Sequence, residues 1–119
     1  MKEFVLSEVI SMLKDNLSVP VWSDYVPGGN ESGCAVNHVA NSEGRVLSGH
    51  KYGLWSTWRV TVVAKHTSDV ELIIKELLKL DNTRNDDFQK VKTNLVLIEP
   101  KEPEQTYRRA FVDVRVYNN

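Results

Sequence analysis

The chain has 119 residues, with 15 basic and 16 acidic side chains and a formal net charge of −1. This length suits one domain spanning residues 1–119, and the charge lacks the basic excess with which nucleic-acid-binding proteins neutralise phosphates. The single cysteine, Cys34, has no disulfide partner in the chain, which fits a reducing compartment. No apolar run near the N-terminus has the form of a signal peptide or a membrane span, so we expect a soluble, cytoplasmic protein.

Two amphipathic helices are predicted. Apolar residues recur at spacings of three and four over residues 3–17, which places them on one face of a first helix. Ser68 and Glu71 form the Ser-x-x-Glu pattern of a capping box, and the second helix should run from there to about Leu80. Its predicted apolar face consists of Val70, Ile73, Ile74, Leu77 and Leu78.

Several segments have the patterns of strands. Residues 34–40, 54–66 and 107–117 alternate between apolar and polar side chains, whereas residues 93–99 contain an apolar run that predicts a buried strand. In the last strand, Val112 and Val114 should lie on the face opposite Arg109 and Arg115.

The sequence also predicts the connections between these elements. Residues 19–33 are rich in proline and glycine and predict an extended, turn-rich connection, and residues 41–53 predict a long polar loop or hairpin tip. Pro100 and Pro103 enclose a charged turn that should join the last two strands as an antiparallel hairpin. The order of elements predicts an α+β fold, with an antiparallel or mixed β-sheet and two amphipathic α-helices packed on one face.

The sequence holds no recognisable catalytic or metal-binding motif. His38, His50 and His66 lack the spacing of zinc ligands, and His38 with Cys34 makes only a weak thiol–imidazole signal, so we expect packing residues there. Asp86 and Asp87 lack the ligand pattern of a calcium loop. The glycine-bearing segment 44–53 matches no phosphate-binding motif and predicts a hairpin tip. We therefore expect no enzyme activity, no metal and no cofactor.

Aromatic and charged residues mark possible contact surfaces. Trp55, Trp58 and Arg59 are of the types found in protein interfaces and in single-strand nucleic-acid binders, although a packed core tryptophan is an equal alternative. The last strand mixes charges of both signs with aromatics, which favours a protein partner. The interface candidates are Arg45, His50, Lys51, Tyr52, Arg109, Phe111, Arg115 and Tyr117.

The chain resembles the tail terminator and head-tail joining (tail completion) proteins of tailed bacteriophages over nearly its whole length. The likeness rests on residues 58–64, Trp-Arg-Val-Thr-Val-Val-Ala, which lead into Ser68-Asp69-Val70-Glu71, and on the last strand, residues 107–117. The resemblance implies a structural virion protein, located in the tail or neck, that forms a ring, commonly of six subunits. Its implied partners are other copies of itself, the tail tube protein and the head-tail connector proteins.

The resemblance implies neither a membrane partner nor a specific nucleic-acid site, with DNA free to pass through the ring. Two alternatives stay open. One is another neck or minor virion protein of the same fold, and the other is a small-molecule-binding or enzymatic α+β domain, which would need polar groups converging in an apolar cavity.

Overall fold

The computed structural model describes residues 6–27, 32–45, 51–84, 90–100 and 106–118. The elements in chain order are α1 (Leu6–Asn16), β1 (Val21–Ser23), β2 (Ser32–Arg45), β3 (Lys51–Ala64), α2 (Thr67–Leu78), β4 (Lys90–Ile98) and β5 (Arg108–Asn118). The strands form one mixed, mostly antiparallel sheet in the order β1-β2-β3-β5-β4. The predicted α+β class is confirmed. Within the described residues, no helix is long and apolar enough to cross a bilayer.

The hydrophobic core lies on one face of the sheet, beneath both helices. From α1 it takes Val9, Met12 and Leu13, and from α2 it takes Val70, Ile73, Ile74 and Leu77. The sheet contributes Cys34, Val36, Trp58, Val60, Val62, Ala64, Val91, Ala110, Val112, Val114 and Val116. The predicted face of α2 is thus confirmed except at Leu78, which is exposed because it lies on the flank of α2. The predicted first helix is confirmed over Leu6–Asn16, and residues 3–5 lie outside the described residues.

The short strand β1 lies within the segment predicted to be an extended connection. It pairs with β2 in parallel, and the Cys34 N–H donates to the carbonyl of Pro20 at 3.0 Å. A Cβ on Gly33 would come within 2.2 Å of a ring carbon of Trp22. Only glycine therefore lets the Trp22 ring lie this close to the backbone of β2.

Strands β2 and β3 are longer than predicted. Each has 14 residues, and their pairing continues to Arg45 opposite Lys51. Residues 41–53 were expected to form a long polar loop or hairpin tip, and β2 and β3 do form a hairpin here. The expected lengths were wrong, since residues 41–45 and 51–53 belong to the strands, because the backbone ladder extends the hairpin without needing apolar side chains. Residues 46–50 lie outside the described residues.

The capping box predicted at the start of α2 was also wrong. Helix α2 begins at Thr67, and its N-cap is His66, whose carbonyl accepts the N–H groups of Asp69 and Val70. Ser68 therefore lies inside the first turn, where its side chain is not in the N-cap position. The helix gains its position from its buried face rather than from this cap.

The turn after α2 is tied to the start of β4. Asn82 has a φ of 65°, a left-handed conformation that asparagine tolerates. Its N–H donates to the carbonyl of Val91 at 2.7 Å, and the N–H of Val91 donates to the carbonyl of Thr83 at 3.0 Å. Asp81 Oδ1 accepts the N–H of Thr93 at 2.9 Å. These bonds fix where β4 joins the sheet.

The apolar run in β4 is not a buried strand, so this prediction was wrong. Leu95, Val96, Leu97 and Ile98 expose 39%, 43%, 49% and 38% of their surface. The reason is position: β4 is the last strand of the sheet. Its pairing with β5 is antiparallel, as the predicted hairpin requires, and shifts register between Leu95 and Leu97.

Candidate interaction surface

The face of the sheet away from the helices carries a row of charged and aromatic side chains on β3 and β5. We call it the open-face ladder, and it consists of Trp55, Arg59, Phe111, Asp113, Arg115 and Tyr117. Side chains alternate along β5, so these residues follow from the burial of Val112 and Val114 on the opposite face. The register places Trp55 opposite Tyr117 and Arg59 opposite Asp113.

An ion pair holds the centre of the ladder. Arg59 Nε donates to Asp113 Oδ1 at 2.9 Å, and a second guanidinium nitrogen donates to Oδ2 at 3.3 Å. This hydrogen bonding, together with the charge of Asp113, raises the pKa of the Arg59 guanidinium. A two-point contact of this kind fixes the orientation of the guanidinium plane as well as its charge.

Aromatic packing holds one end of the ladder. The rings of Trp55 and Tyr117 lie 5.0 Å apart between centroids, at a tilted angle. The Arg115 guanidinium carbon lies 4.8 Å from the centroid of a Trp55 ring, within the range of a cation–π contact. The exposed side chains at this end therefore have defined positions before any partner binds.

A cavity of about 390 Å³ lies at the other end of the same face. It is lined by Asp24, Tyr25, Val26, Pro27, Ala35, Thr61, Val63, Tyr107, Arg109 and Phe111. Arg109 Nε donates to Glu99 Oε2 at 2.9 Å, which holds the guanidinium beside the cavity. The walls are mainly aromatic and aliphatic, with Asp24 and Arg109 as the charged groups.

The structure divides the sequence-predicted interface residues into two groups. Arg109, Phe111, Arg115 and Tyr117 share the open face, as predicted. Arg45, Lys51 and Tyr52 lie at the far end of the β2–β3 hairpin, beyond the last pair of β3 with β5. His50 lies outside the described residues. Lys51 is four residues from Trp55, or about 13 Å along a strand, so the hairpin end is separate from the ladder.

The aromatic cluster predicted around Trp58 is divided between the two faces of β3. Trp58 is buried on the helix side and its ring lies 4.7 Å from that of His38. Trp55 and Arg59 belong to the open-face ladder. Because alternate residues of a strand point to opposite faces, the three cannot form one stacking platform for nucleic-acid bases.

Cys34 is a core residue. Burial, with a smaller contribution from the charge of Glu76, raises the pKa of its thiol to about 12. The thiol therefore keeps its proton at neutral pH, which does not suit a nucleophile or a metal ligand. His38 lies four residues away on the same side of β2 and packs on Trp58 instead.

In the part of the chain that the structure describes, no three His, Cys, Asp or Glu side chains are grouped to hold a metal ion. Asp81 accepts the Thr93 N–H. Asp86 and Asp87 fall outside the described residues. Sequence reasoning missed the cavity residues Tyr25 and Tyr107, since nothing local signals that these two distant segments meet.

Comparison with known proteins adds no functional assignment. No protein-family model matches the sequence, and no curated protein matches it.

Proposed function

We propose that this protein is a non-enzymatic virion assembly protein, similar to a phage tail terminator, that forms a ring capping the tail tube and joining it to the head. The observation that supports the proposal is the open-face ladder, whose charged and aromatic side chains are already held in place. The sequence resemblance indicates the type of assembly, a phage tail. The ladder is the surface that we expect to contact a neighbouring protein in it.

The composition of the ladder favours a protein partner over polyphosphate. Asp113 lies opposite Arg59 and two residues from Arg115, so the surface mixes charges of both signs instead of presenting a continuous basic stripe. Complementary charges of this kind select a partner and its orientation. Aromatic residues and arginine are also the types enriched where interfaces bind most strongly.

The geometry of the ladder also reduces the cost of binding. Ordering a long side chain at an interface costs about 0.5–1.5 kcal/mol. Arg59 is held by Asp113 and Arg115 by Trp55 before a partner arrives. Part of the entropy cost of ordering these side chains therefore falls on folding and not on binding. This suits a surface that binds repeatedly in an assembly.

The experiment is charge reversal on the open face. The double variant Arg109→Glu with Arg115→Glu should fold but lose ring formation, binding to purified tail tubes, and complementation of a virus lacking the gene. The control is Lys14→Glu with Lys75→Glu, which makes the same change of net charge on exposed helix positions. Weaker association that depends on ionic strength supports the proposal. Normal tails and rings from the open-face variant, with melting unchanged, would contradict it.

The cavity supports a second candidate, a small-molecule-binding domain. Its volume of about 390 Å³ falls within the range of about 300–1,000 Å³ that is usual for ligand sites. Fragment screening by NMR would test this function. Shifts confined to the cavity residues Thr61, Val63 and Tyr107 would favour it, and a screen without such shifts would leave the assembly proposal as the better supported.

A further inference from the structure

Strand β4 presents an apolar edge to its surroundings. It ends the sheet, and its four consecutive apolar residues, Leu95 to Ile98, are all more than a third exposed. An exposed apolar edge strand is a template for pairing with another strand, because its outward backbone groups need partners. Soluble proteins commonly protect such edges with lysine, proline or a covering segment.

Among the residues that the structure describes, such protection covers only part of β4. At its start, the turn after α2 occupies the outer edge, since Val91 bonds to Asn82 and Thr83, and the Thr93 N–H bonds to the Asp81 carboxylate. After Glu99 comes Pro100, which has no N–H to donate. The stretch between these two boundaries is residues 94–99.

The direction of the backbone groups in this stretch follows from the hydrogen bonds on either side. The N–H groups of Val91 and Thr93 bond away from β5, so alternation turns Leu95 away from β5 as well. The Glu99 N–H donates to the carbonyl of Arg109 in β5 at 2.9 Å, so its neighbour Ile98 also faces outward. The register shift between Leu95 and Leu97 is what turns both residues outward.

We propose that a second copy of this chain pairs with this edge, antiparallel and about a two-fold axis at Leu97. Leu97 then lies opposite Leu97 of the second copy, and Leu95 of each copy lies opposite Ile98 of the other. In the two pairs of Leu95 with Ile98, both residues face outward and exchange both backbone hydrogen bonds, whereas the central Leu97 pair is a non-hydrogen-bonded one. The register shift leaves Val96 of each strand as the unpaired bulge residue.

The side chains match in this register. Leu95 and Ile98 lie on the helix side, as their partners Val112 and Ala110 show, and Leu97 lies on the open face with Phe111. Each apolar residue therefore meets an apolar residue on its own face of the sheet. Glu99 lies diagonal to Lys92 of the second copy on the open face, within reach of an opposite-charge contact.

The second copy fits this edge better than a head-to-tail neighbour does. The opposite edge of the described sheet is β1, which has three residues and pairs in parallel with β2. Joining β1 to β4 would leave half of residues 94–99 uncovered. Of the two edges of the described sheet, only the β4 edge of a second copy is long enough to cover residues 94–99. Pairing about a two-fold axis also forms a closed dimer. This dimer of the free protein does not depend on the proposed function.

Cysteine cross-linking tests the two-fold axis directly. In Leu97→Cys, the two introduced thiols face each other across a pair with Cα atoms about 4.5 Å apart, within the disulfide range of about 4.4–6.8 Å. Mild oxidation of the full-length variant should give a disulfide-linked dimer. Asn94→Cys is the matched control, because it is exposed on the same strand and face but lies opposite Glu99 of the second copy. The wild type controls for Cys34, which is buried.

The mass of the protein in solution gives the second test. Sedimentation of the wild type should show a reversible rise with concentration from 13.6 kDa to twice that mass, and Leu97→Lys should abolish the rise while the circular dichroism spectrum is kept. A wild type that stays monomeric at its highest soluble concentration would overturn the proposal and favour a strand from another protein as the occupant. Equal cross-linking of Asn94→Cys and Leu97→Cys, or a dimer that survives Leu97→Lys, would also overturn it. Neither cross-linking nor sedimentation measures tail assembly, so a failure of the dimer proposal can be distinguished from a failure of the proposed function.

Discussion

The two faces of strand β5 have the same backbone and opposite roles. Val112, Val114 and Val116 are fully buried beneath the helices, whereas Asp113 and Arg115 on the other face remain accessible. A step of one residue therefore moves a side chain from the core to the accessible face of the sheet. Substitutions on the helix face should therefore change the stability of the fold, and those on the open face should change association with a partner.

The largest effect is expected from Leu77→Ala. Leu77 is fully buried in the core, and removing it should lower the free energy of unfolding by about 2–5 kcal/mol through lost burial and the cavity left behind. Leu78→Ala, at the next and exposed position of α2, is the control and should change it by less than about 0.5 kcal/mol. Urea unfolding of both variants measures the difference. Equal losses would mean that the buried face of α2 is misassigned.

An intermediate effect is expected at high pH from Cys34. Its thiol has a pKa raised from 9.0 to about 12 in the folded protein. The unfolded chain therefore loses this proton first, so stability is fully present below pH 9.0 and is lost as the pH rises towards about 12. The slope from this group approaches about 1.4 kcal/mol per pH unit within that window.

Comparison with Cys34→Ala isolates this contribution from lysine and tyrosine titration. Unfolding free energies measured across the window should fall more steeply with pH for the wild type than for the variant. Parallel curves would show that the thiol is not protected by burial, and rapid alkylation of the native protein at neutral pH would show the same.

The smallest stability effect is expected on the open face. Asp113→Asn removes the ion pair with Arg59, a partly exposed pair of a kind that contributes about 0.2–1 kcal/mol. Thermal melting should shift slightly, and less at high salt because ions screen the pair. Tail-tube binding should fall more than stability does, since Arg59 loses its fixed orientation. A large loss of stability without loss of binding would contradict the expectation that the open face serves association and not folding.

Sequence patterns predicted the elements whose side chains repeat at a clear period. Helix α2 and strand β5 were predicted because their buried residues recur at helical and alternating spacing. Arg109 and Arg115 followed from the same alternation in β5. The sequence thus predicted that one face of β5 carries Arg109, Phe111, Arg115 and Tyr117.

Other features had no local signal. The Leu95–Ile98 run is the same string of residues whether its strand is central or at the edge, so its exposure could not be inferred from hydrophobicity. The parallel pairing of β1 depends on Gly33 meeting Trp22, a contact between separate segments of the chain. The Ser68–Glu71 pattern fits a capping box with Ser68 as the N-cap, yet the N-cap is His66, two residues earlier.

Sequence periodicity alone predicted which side chains share a face wherever the backbone keeps a regular period, as in β5. It did not predict the bulge in β4, which places Leu95 and Leu97 on opposite faces of the sheet. The tertiary structure alone decided the order β1-β2-β3-β5-β4, and with it which apolar strand lies at the edge and which charged side chains become neighbours. Strand order depends on contacts between residues far apart in the chain, such as Arg59 with Asp113. Local periodicity carries no information about such pairings, so the ladder, the cavity and the exposed β4 edge emerge only when the sheet is assembled.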